Sequence, residues 1–147
     1  MTRAVALGTF DLLHPGHVHY LREAAEWGEE LHVVVADGER VSHKDPVLPD
    51  DQRVRMVEAL DPVTAAHPGD PDDISAPIRR IDPDVLVLGG DQHHDEEEVA
   101  AMLTDWGVEC EVRRASLAEG EGEQLYSSSA IAERILDERE EKRAVSP

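Results

Sequence analysis

The stretch Gly8-Thr9-Phe10-Asp11-Leu12-Leu13-His14-Pro15-Gly16-His17 lies where the sequence changes from a strand pattern to a helix pattern. The mostly apolar residues 3–7 predict a first strand, and residues 15–27 predict a helix. Pro15 fits the first turn of that helix, because the N–H that proline lacks has no helical partner there. A strand that passes through a short loop into a helix is typical of a parallel α/β sheet.

The rest of the chain repeats this alternation of strands and helices. Residues 31–36 and 85–88 are apolar almost throughout, which is typical of parallel strands covered on both faces. The other predicted elements are helix 50–60, strand 63–67, helix 74–81, helix 96–106, strand 108–113 and helix 127–141. We therefore predict one doubly wound, Rossmann-like α/β domain over residues 1–141, with a five-stranded parallel sheet and helices on both faces. Residues 142–147 are predicted to form a flexible tail.

Length and composition narrow the class of protein. The 147 residues, 40% of them hydrophobic, fit one domain with one core. No apolar run reaches the roughly 20 residues that cross a bilayer, and the N-terminal segment turns into Gly8-Thr9 too early for a secretory signal. The lone Cys110 excludes an internal disulfide and a cysteine-cluster metal site. We expect a soluble, cytoplasmic protein with no membrane partner.

The charge balance excludes another class of partner. The chain has 33 acidic and 14 basic residues, a formal charge of −19, and its only lysines are Lys44 and Lys142. An acidic surface of this kind repels nucleic-acid backbones, so we expect no nucleic-acid partner. Many carboxylates with few lysines suit a halophilic protein in concentrated salt, where charges are strongly screened.

The histidines of the opening stretch indicate an anion site. The first turn of a helix has free N–H groups and the positive end of the helix dipole. His14 and His17 are three residues apart, so both imidazoles lie on one side of that turn, and Gly16 leaves room for a phosphate or a base. Such donors stabilise the charge that develops during phosphoryl transfer. We do not expect a metal pair, because metal-binding histidines on helices are usually four residues apart.

Three loops at the carboxyl ends of predicted strands are expected to converge, namely residues 8–17, 37–44 and 89–94. Asp91 follows a buried strand, and Gly89-Gly90 beside it allow a ligand to approach closely. Ser127, Ser128 and Ser129 fit equally a phosphate site and a simple helix cap.

These motifs resemble those of the HxGH nucleotidyltransferases, specifically the cytidylyltransferase-like family, over nearly the whole chain. The resemblance implies transfer of a nucleotidyl group from a nucleoside triphosphate to a phosphate, with release of pyrophosphate. Lys44 matches the triphosphate-binding lysine of the family, and Arg53 matches an arginine that opens the second helix. Residues 126–131 match a late Ser/Thr-rich motif that holds the β and γ phosphates.

Within this family the chain is most similar to the archaeal-type FAD synthases, on residues 8–21, 88–92 and 95–97. That likeness implies ATP and FMN as substrates, FAD and pyrophosphate as products, a divalent cation such as Mg²⁺, and a homodimer. It implies His14, His17 and Lys44 as catalytic residues, and Asp11 and Arg53 as further contacts to phosphate or substrate. The nucleotide-binding residues that it implies are Thr9, Phe10, His14, Pro15, Gly16, His17, Asp91, Tyr126, Ser127, Ser128 and Ser129.

The sequence alone leaves more than one function open. The late motif is preceded by Glu123-Gln124-Leu125, which differs from the Arg-Thr-Glu-Gly-Ile type of the CTP-using relatives. This weakens a glycerol-3-phosphate cytidylyltransferase reaction and leaves the late arginine of the family unmatched, with Arg113, Arg114 and Arg134 as candidates. Transfer of AMP from ATP to phosphopantetheine also fits the residues, and so does a nucleotide-sensing module without catalysis.

Overall fold

A computed structural model describes residues 1–41, 46–90, 92, 94–118 and 125–145. Strands and helices alternate along these residues as β1 (Arg3–Gly8), α1 (Pro15–Ala25), β2 (Glu30–Val35), α2 (Asp50–Glu58), β3 (Ala65–Pro68), α3 (Ser75–Ile81), β4 (Val85–Leu88), α4 (Glu96–Asp105), β5 (Glu111–Arg114) and α5 (Ser128–Val145). The order agrees with the prediction from the sequence. The largest differences are that β5 begins at Glu111, and that α5 continues through residues 142–145, which the sequence pattern assigns to the tail.

The five strands form one parallel sheet in the order β3-β2-β1-β4-β5. The chain runs outward from β1 to β3 on one side and from β4 to β5 on the other. The order therefore reverses between β1 and β4, the place where doubly wound sheets bind ligands beyond the strand ends. This topology confirms the predicted fold class.

Helices cover both faces of the sheet, because alternate residues of each strand point to opposite sides. On one face, strand residues such as Ala4, Ala6 and Val33 pack with α1 and α2. On the other face, Val5 and Leu86 pack with α3 and α4. No helix in the described ranges is long and apolar enough to cross a bilayer.

Side chains take over the hydrogen bonding where β1 and β4 separate. The hydroxyl of Tyr20, on α1, accepts from the Leu7 N–H at 3.1 Å and donates to the Val87 carbonyl. The amide of Gln92 donates to the Leu7 carbonyl at 2.9 Å and accepts from the Gly89 N–H at 2.8 Å. The two strands therefore open to form a cleft without leaving these backbone groups unpaired.

Candidate active site

A cavity of about 890 Å³ opens at the carboxyl end of the sheet, beyond the point where β1 and β4 separate. The loops after β1 and β4 both contribute to its wall, as predicted for residues 8–17 and 89–94. Of the third predicted loop, residues 37–41 do not line the cavity and residues 42–44 lie outside the described residues, while Pro46, just beyond that loop, does line it. The predicted site residues that line the cavity are Thr9, Phe10, Asp11, His14, Gly16, His17, Tyr126, Ser127, Ser128 and Ser129. Lys44 and Asp91 lie outside the described residues.

His14 and His17 form the cap of α1. The Nδ1 atom of His14 accepts from the Gly16 N–H at 3.1 Å, and Nδ1 of His17 accepts from the His14 N–H at 3.2 Å. The two ring centroids are 3.8 Å apart. Because each Nδ1 accepts a hydrogen bond, the proton of each neutral ring is on Nε2. The helix therefore selects a tautomer in which both histidines are Nε2–H donors.

The absence of a side chain at Gly16 leaves room for neighbouring groups of the protein. A Cβ atom at this position would lie 2.8 Å from Cε1 of His14 and 3.3 Å from the carbonyl oxygen of Tyr126. The space is therefore used by the capping imidazole and by the segment that leads into α5, whereas the sequence pattern assigns it to a ligand. A side chain here would displace the ring of His14.

Phe10 has an unusual backbone conformation, with φ of +51°. The residue is 3% exposed. Its ring lies parallel to the Tyr20 ring at 6.2 Å and contacts the His17 ring at 5.3 Å between centroids. Gly8 makes room for it, because a Cβ atom there would lie 2.8 Å from the Phe10 ring. A bulky residue rarely adopts positive φ and does so at a cost of about 1–3 kcal/mol. The ring is therefore a packed part of the cavity wall, and a backbone contact of Phe10 with a nucleotide stays a prediction.

Arg53 holds the loops around the cavity together. Its side chain is fully buried, and its guanidinium donates to the carbonyl oxygens of Thr9 at 2.8 Å, Ala36 at 2.9 Å and Leu48 at 3.0 Å. It also pairs with the carboxylate of Asp50. The resemblance implies Arg53 at a substrate phosphate, but the structure places it behind the cavity wall, where its donors are used by the ends of β1 and β2 and by the loop before α2.

Asp11 lines the cavity and, like Arg53, is bonded to the loop before α2. Its carboxylate accepts from the Val47 N–H at 2.8 Å and from the Leu48 N–H at 2.9 Å. The backbone of Leu48 is therefore held through its N–H by Asp11 and through its carbonyl by Arg53. Both residues position the segment that follows the loop containing Lys44.

The start of α5 faces the cavity next to the start of α1. Ser127 Oγ accepts from the Ala130 N–H at 3.0 Å, as a helix cap does, and Ser128 Oγ donates to the Leu12 carbonyl at 3.1 Å. Ser127 is thus a cap and a cavity residue at once. The N-terminus of each helix adds a partial positive charge at this side of the cavity.

None of the three candidates for the late arginine belongs to the described cavity lining. Arg114 donates to the carbonyl oxygens of Gly89 at 3.0 Å and Gln92 at 2.8 Å, and so holds the loop after β4. Arg113 lies 5.3 Å from the Trp27 ring centroid, and Arg134 pairs with a neighbouring glutamate within α5. Arg114 acts on the cavity through a loop that lines it.

The structure adds lining residues that sequence reasoning missed, namely His19, Tyr20, Pro46, Gln92, His94 and Ser116 among others. His19 and Tyr20 follow the His17 position on the same helix, and Gln92 follows the predicted Gly-Gly-Asp loop, so proximity in sequence was an available signal. Ser116 carried no signal, because its partners on α1 are more than 90 residues away along the chain. Among the described residues, no group of three or more His, Cys, Asp or Glu side chains has an arrangement that would hold a metal ion.

A doubly wound sheet that brings two helix N-termini and an imidazole pair to its switch point defines a nucleotide-binding domain of the nucleotidyltransferase class. Comparison with known proteins identifies the family. The chain belongs to the cytidylyltransferase-like family, whose model matches residues 5–134. This confirms the resemblance found in the sequence.

Curated relatives match nearly the whole chain. The FAD synthase of Natronomonas pharaonis is 56% identical over 140 residues, which cover 95% of this chain and 99% of that protein. The FAD synthase of Halorhabdus utahensis is 57% identical over 142 residues, which cover 95% of this chain and the full length of the relative. The FAD synthase of Halobacterium salinarum is 57% identical over 141 residues, with 95% and 97% covered.

Solved structures support the fold. A lipopolysaccharide core biosynthesis protein from Thermoplasma volcanium is 33% identical, with a TM-score of 0.77, and the match covers 81% of this chain and 99% of that chain. Pantothenate synthetase from Thermus thermophilus is 17% identical, with a TM-score of 0.58 over 89% of this chain and 61% of that chain. At that identity, the second match indicates a shared fold alone.

Proposed function

We propose that this protein is an FMN adenylyltransferase, which transfers AMP from ATP to FMN and releases FAD and pyrophosphate. The observation that carries the proposal is the pair His14 and His17. Both side chains are held at the switch point with Nε2–H as a hydrogen-bond donor. The acceptor is assigned by similarity, because the curated FAD synthases match this chain over nearly their full length.

The reaction is an in-line displacement at the α-phosphorus of ATP. A phosphate oxygen of FMN forms a bond to that phosphorus, and the bond to the oxygen that bridges to the β-phosphorus breaks. His14 and His17 donate hydrogen bonds to the α-phosphate oxygens, on which charge develops in the transition state. Such a reaction depends on positioning and electrostatics, so no residue of the chain acts as a nucleophile.

The leaving pyrophosphate is stabilised at the start of α5. Ser127, Ser128 and Ser129 line this side of the cavity, and N–H groups at a helix start favour phosphate. Lys44 adds a positive charge, and Asp91 contacts the ribose or the base of ATP. In this proposal Thr9 and Phe10 contact the nucleotide through their backbone, while Pro15 and Gly16 shape the first turn of α1.

A divalent cation, Mg²⁺ being the expected one, would enter with ATP and would neutralise phosphate charge. Asp11 is the acidic side chain among the described lining residues, and its oxygens already accept two backbone hydrogen bonds. This fits an ion held mainly by phosphate oxygens and water, which is a usual arrangement for Mg²⁺. The proposal also retains the homodimer that the resemblance implies and the cytoplasmic location expected from the sequence, with residues 1–141 as the catalytic domain.

The experiment is incubation of the purified chain with ATP, Mg²⁺ and FMN in concentrated KCl, with FAD measured by chromatography. Parallel reactions contain CTP with glycerol 3-phosphate, or ATP with phosphopantetheine, and release of pyrophosphate is measured in each. We expect pyrophosphate with ATP and FMN. If the chain binds ATP tightly but releases no pyrophosphate with any acceptor, the proposed enzymatic function is wrong and the chain is a nucleotide-sensing module.

The double variant His14→Ala with His17→Ala is expected to lose turnover while it still unfolds cooperatively. A matched control is His32→Asn with His67→Asn, which removes two histidines that do not line the cavity. Equal loss of activity and of cooperative folding in the first double variant would count against the catalytic assignment of the pair. An equal loss of activity in the control would count against it as well.

A further inference from the structure

Ser116, just after β5, is held by two side chains of α1. The Glu23 carboxylate accepts from the Ser116 N–H at 2.8 Å and from its hydroxyl at 2.9 Å and 3.0 Å. The Nε2 atom of His19 lies 3.1 Å from the Ser116 carbonyl oxygen and 3.3 Å from a Glu23 carboxylate oxygen. Both of those oxygens only accept, so Nε2 of His19 carries a proton. All three polar groups of Ser116 are therefore bonded to α1.

The segment fixed in this way forms one wall of the cavity. Residues 116–118 line it, and Leu117 presents a side chain that is 63% exposed. The segment packs directly on Gly90, because a Cβ atom at Gly90 would lie 2.9 Å from the Ala115 oxygen and from the Leu117 nitrogen. Gly90 precedes Asp91, which the proposed function places at the ribose or the base of ATP. Under the proposed function, this wall therefore adjoins the part of the site assigned to the nucleoside.

Helix α1 thus carries residues at both ends of the site proposed for ATP, the donor of the nucleotidyl group. The first turn of α1 has the imidazoles of His14 and His17, and the next turns have His19 and Glu23, which are four residues apart and lie on one face. The bonds to Ser116 hold the wall at 116–118 at a fixed position relative to the phosphate-binding end of the same helix. Glu23 does not line the cavity, and His19 lines it with its Nε2 atom bonded to Ser116.

We infer that His19 and Glu23 are positioning residues for the donor nucleotide, which act through Ser116 to set the affinity for the nucleoside part of ATP. The inference rests on the proposed function. The nucleoside is unchanged by the reaction, so contacts with it are equally strong in the ground state and in the transition state. Loss of such uniform binding raises KM and leaves kcat unchanged.

The test is Glu23→Gln in the full chain, with FAD formation measured over ranges of ATP and of FMN. The amide of glutamine retains one acceptor and places a donor against His19 and Ser116. We expect KM for ATP to rise about tenfold, as for the loss of one charge-assisted hydrogen bond. KM for FMN and kcat are expected to stay within about twofold of the wild-type values, because the lost contact acts only on binding of the ATP nucleoside.

Two further comparisons separate positioning from general damage. Glu26→Gln removes the same charge from an exposed position at the end of the same helix and is expected to leave KM for ATP unchanged. Ser116→Ala is expected to raise KM for ATP, and Ser116→Thr, which retains the hydroxyl, is expected to restore it. Thermal unfolding of each variant identifies any that fail to fold.

The outcomes distinguish this inference from the proposed function. If the wild-type chain forms no FAD, the proposed function fails and KM is undefined. If the wild-type chain is active and Glu23→Gln lowers kcat, or raises KM for FMN and not for ATP, the positioning role for the donor is overturned. An equal rise of KM for ATP in Glu26→Gln would overturn it too.

Discussion

The Nδ1 atom of His32, on β2, lies 2.9 Å from the Nε2 atom of His67, on the neighbouring strand β3. Neutral imidazoles share one proton across such a contact, with one ring as donor and the other as acceptor. Partial burial and the neighbouring charges of His32 and Arg80 lower the pKa of His67 below its usual value of 6.5, while Glu58 acts in the opposite direction. The folded chain therefore favours a neutral His67.

This pair is expected to make stability depend on pH in a defined window. Because the pKa of His67 is lower in the folded chain, its contribution is present above about pH 6.5 and is lost as the pH falls through the folded value. One extra proton on the unfolded chain gives a slope of at most about 1.4 kcal/mol per pH unit. Urea unfolding between pH 5.5 and 7.5 measures it.

The matched variants are His67→Gln and His32→Gln, which replace one ring of the pair with a neutral amide. Both are expected to flatten the dependence of unfolding free energy on pH in this window. If each variant keeps the wild-type slope, the titration arises elsewhere in the chain.

Replacement of His14 by asparagine separates the two roles of that imidazole. Asparagine is among the best residues for capping a helix, so His14→Asn is expected to keep the unfolding free energy within about 0.5 kcal/mol, whereas His14→Ala is expected to lose about 1 kcal/mol. Both variants lack the Nε2–H donor, and kcat is expected to fall about 10²–10³-fold in each. Steady-state kinetics and urea unfolding of the two variants measure these effects.

If His14→Asn retains most of its turnover, the imidazole is a cap and has no part in transition-state stabilisation. If instead His14→Asn loses stability as fully as His14→Ala does, the hydrogen bond from the Gly16 N–H is not what stabilises the first turn.

Arg53→Lys tests the buried clamp. Lysine keeps the charge but has no planar fork, so it leaves some of the carbonyl oxygens of Thr9, Ala36 and Leu48 without a donor. We expect a loss of about 2–4 kcal/mol in unfolding free energy, since each unpaired buried group costs about 1–3 kcal/mol. Chemical denaturation provides the measurement.

The same chain provides the control for this change. Arg55 is exposed on the same helix, two residues away, and Arg55→Lys is expected to change stability by less than about 0.5 kcal/mol. Equal effects of the two substitutions would show that the geometry around Arg53 is not important for stability.

Cys110 is expected to react slowly with alkylating reagents. Burial, with a smaller effect of Asp84, raises the pKa of its thiol to about 11. The thiolate is the reactive form, so at pH 8 iodoacetamide should modify the folded chain on the order of 100-fold more slowly than the chain unfolded in guanidinium. Comparable rates in the two states would show that the thiol is not shielded. Mass spectrometry over time gives both rates.

The order of the elements follows from local patterns, but one boundary does not. Parallel strands with both faces covered are apolar throughout, and the sequence predicts such strands within one or two residues. The sequence predicts that β5 begins at Val108, whereas pairing with β4 begins at Glu111. Val108 is buried because it packs at the end of α4, and an apolar residue buried in this way cannot be distinguished from the first residue of a strand.

The role of the imidazole pair can be predicted because the whole motif is contained in ten consecutive residues, 8–17. The role of Arg53 cannot be predicted in this way, because a single arginine on a polar helix resembles a solvated residue, and its partners come from three separate segments. The role of Tyr20 is hidden in the sequence for the same reason. Its hydroxyl is bonded to Leu7 and Val87, which are 13 and 67 residues away along the chain.

The left-handed backbone of Phe10 has a consequence for how fast a nucleotide is captured. Packing against Gly8, Tyr20 and His17 stabilises this conformation during folding, so binding does not have to supply its cost. An anion such as ATP that approaches a chain of charge −19 is repelled at long range. Dissolved salt shortens that repulsion, so a more saline medium should make this protein associate with ATP more quickly.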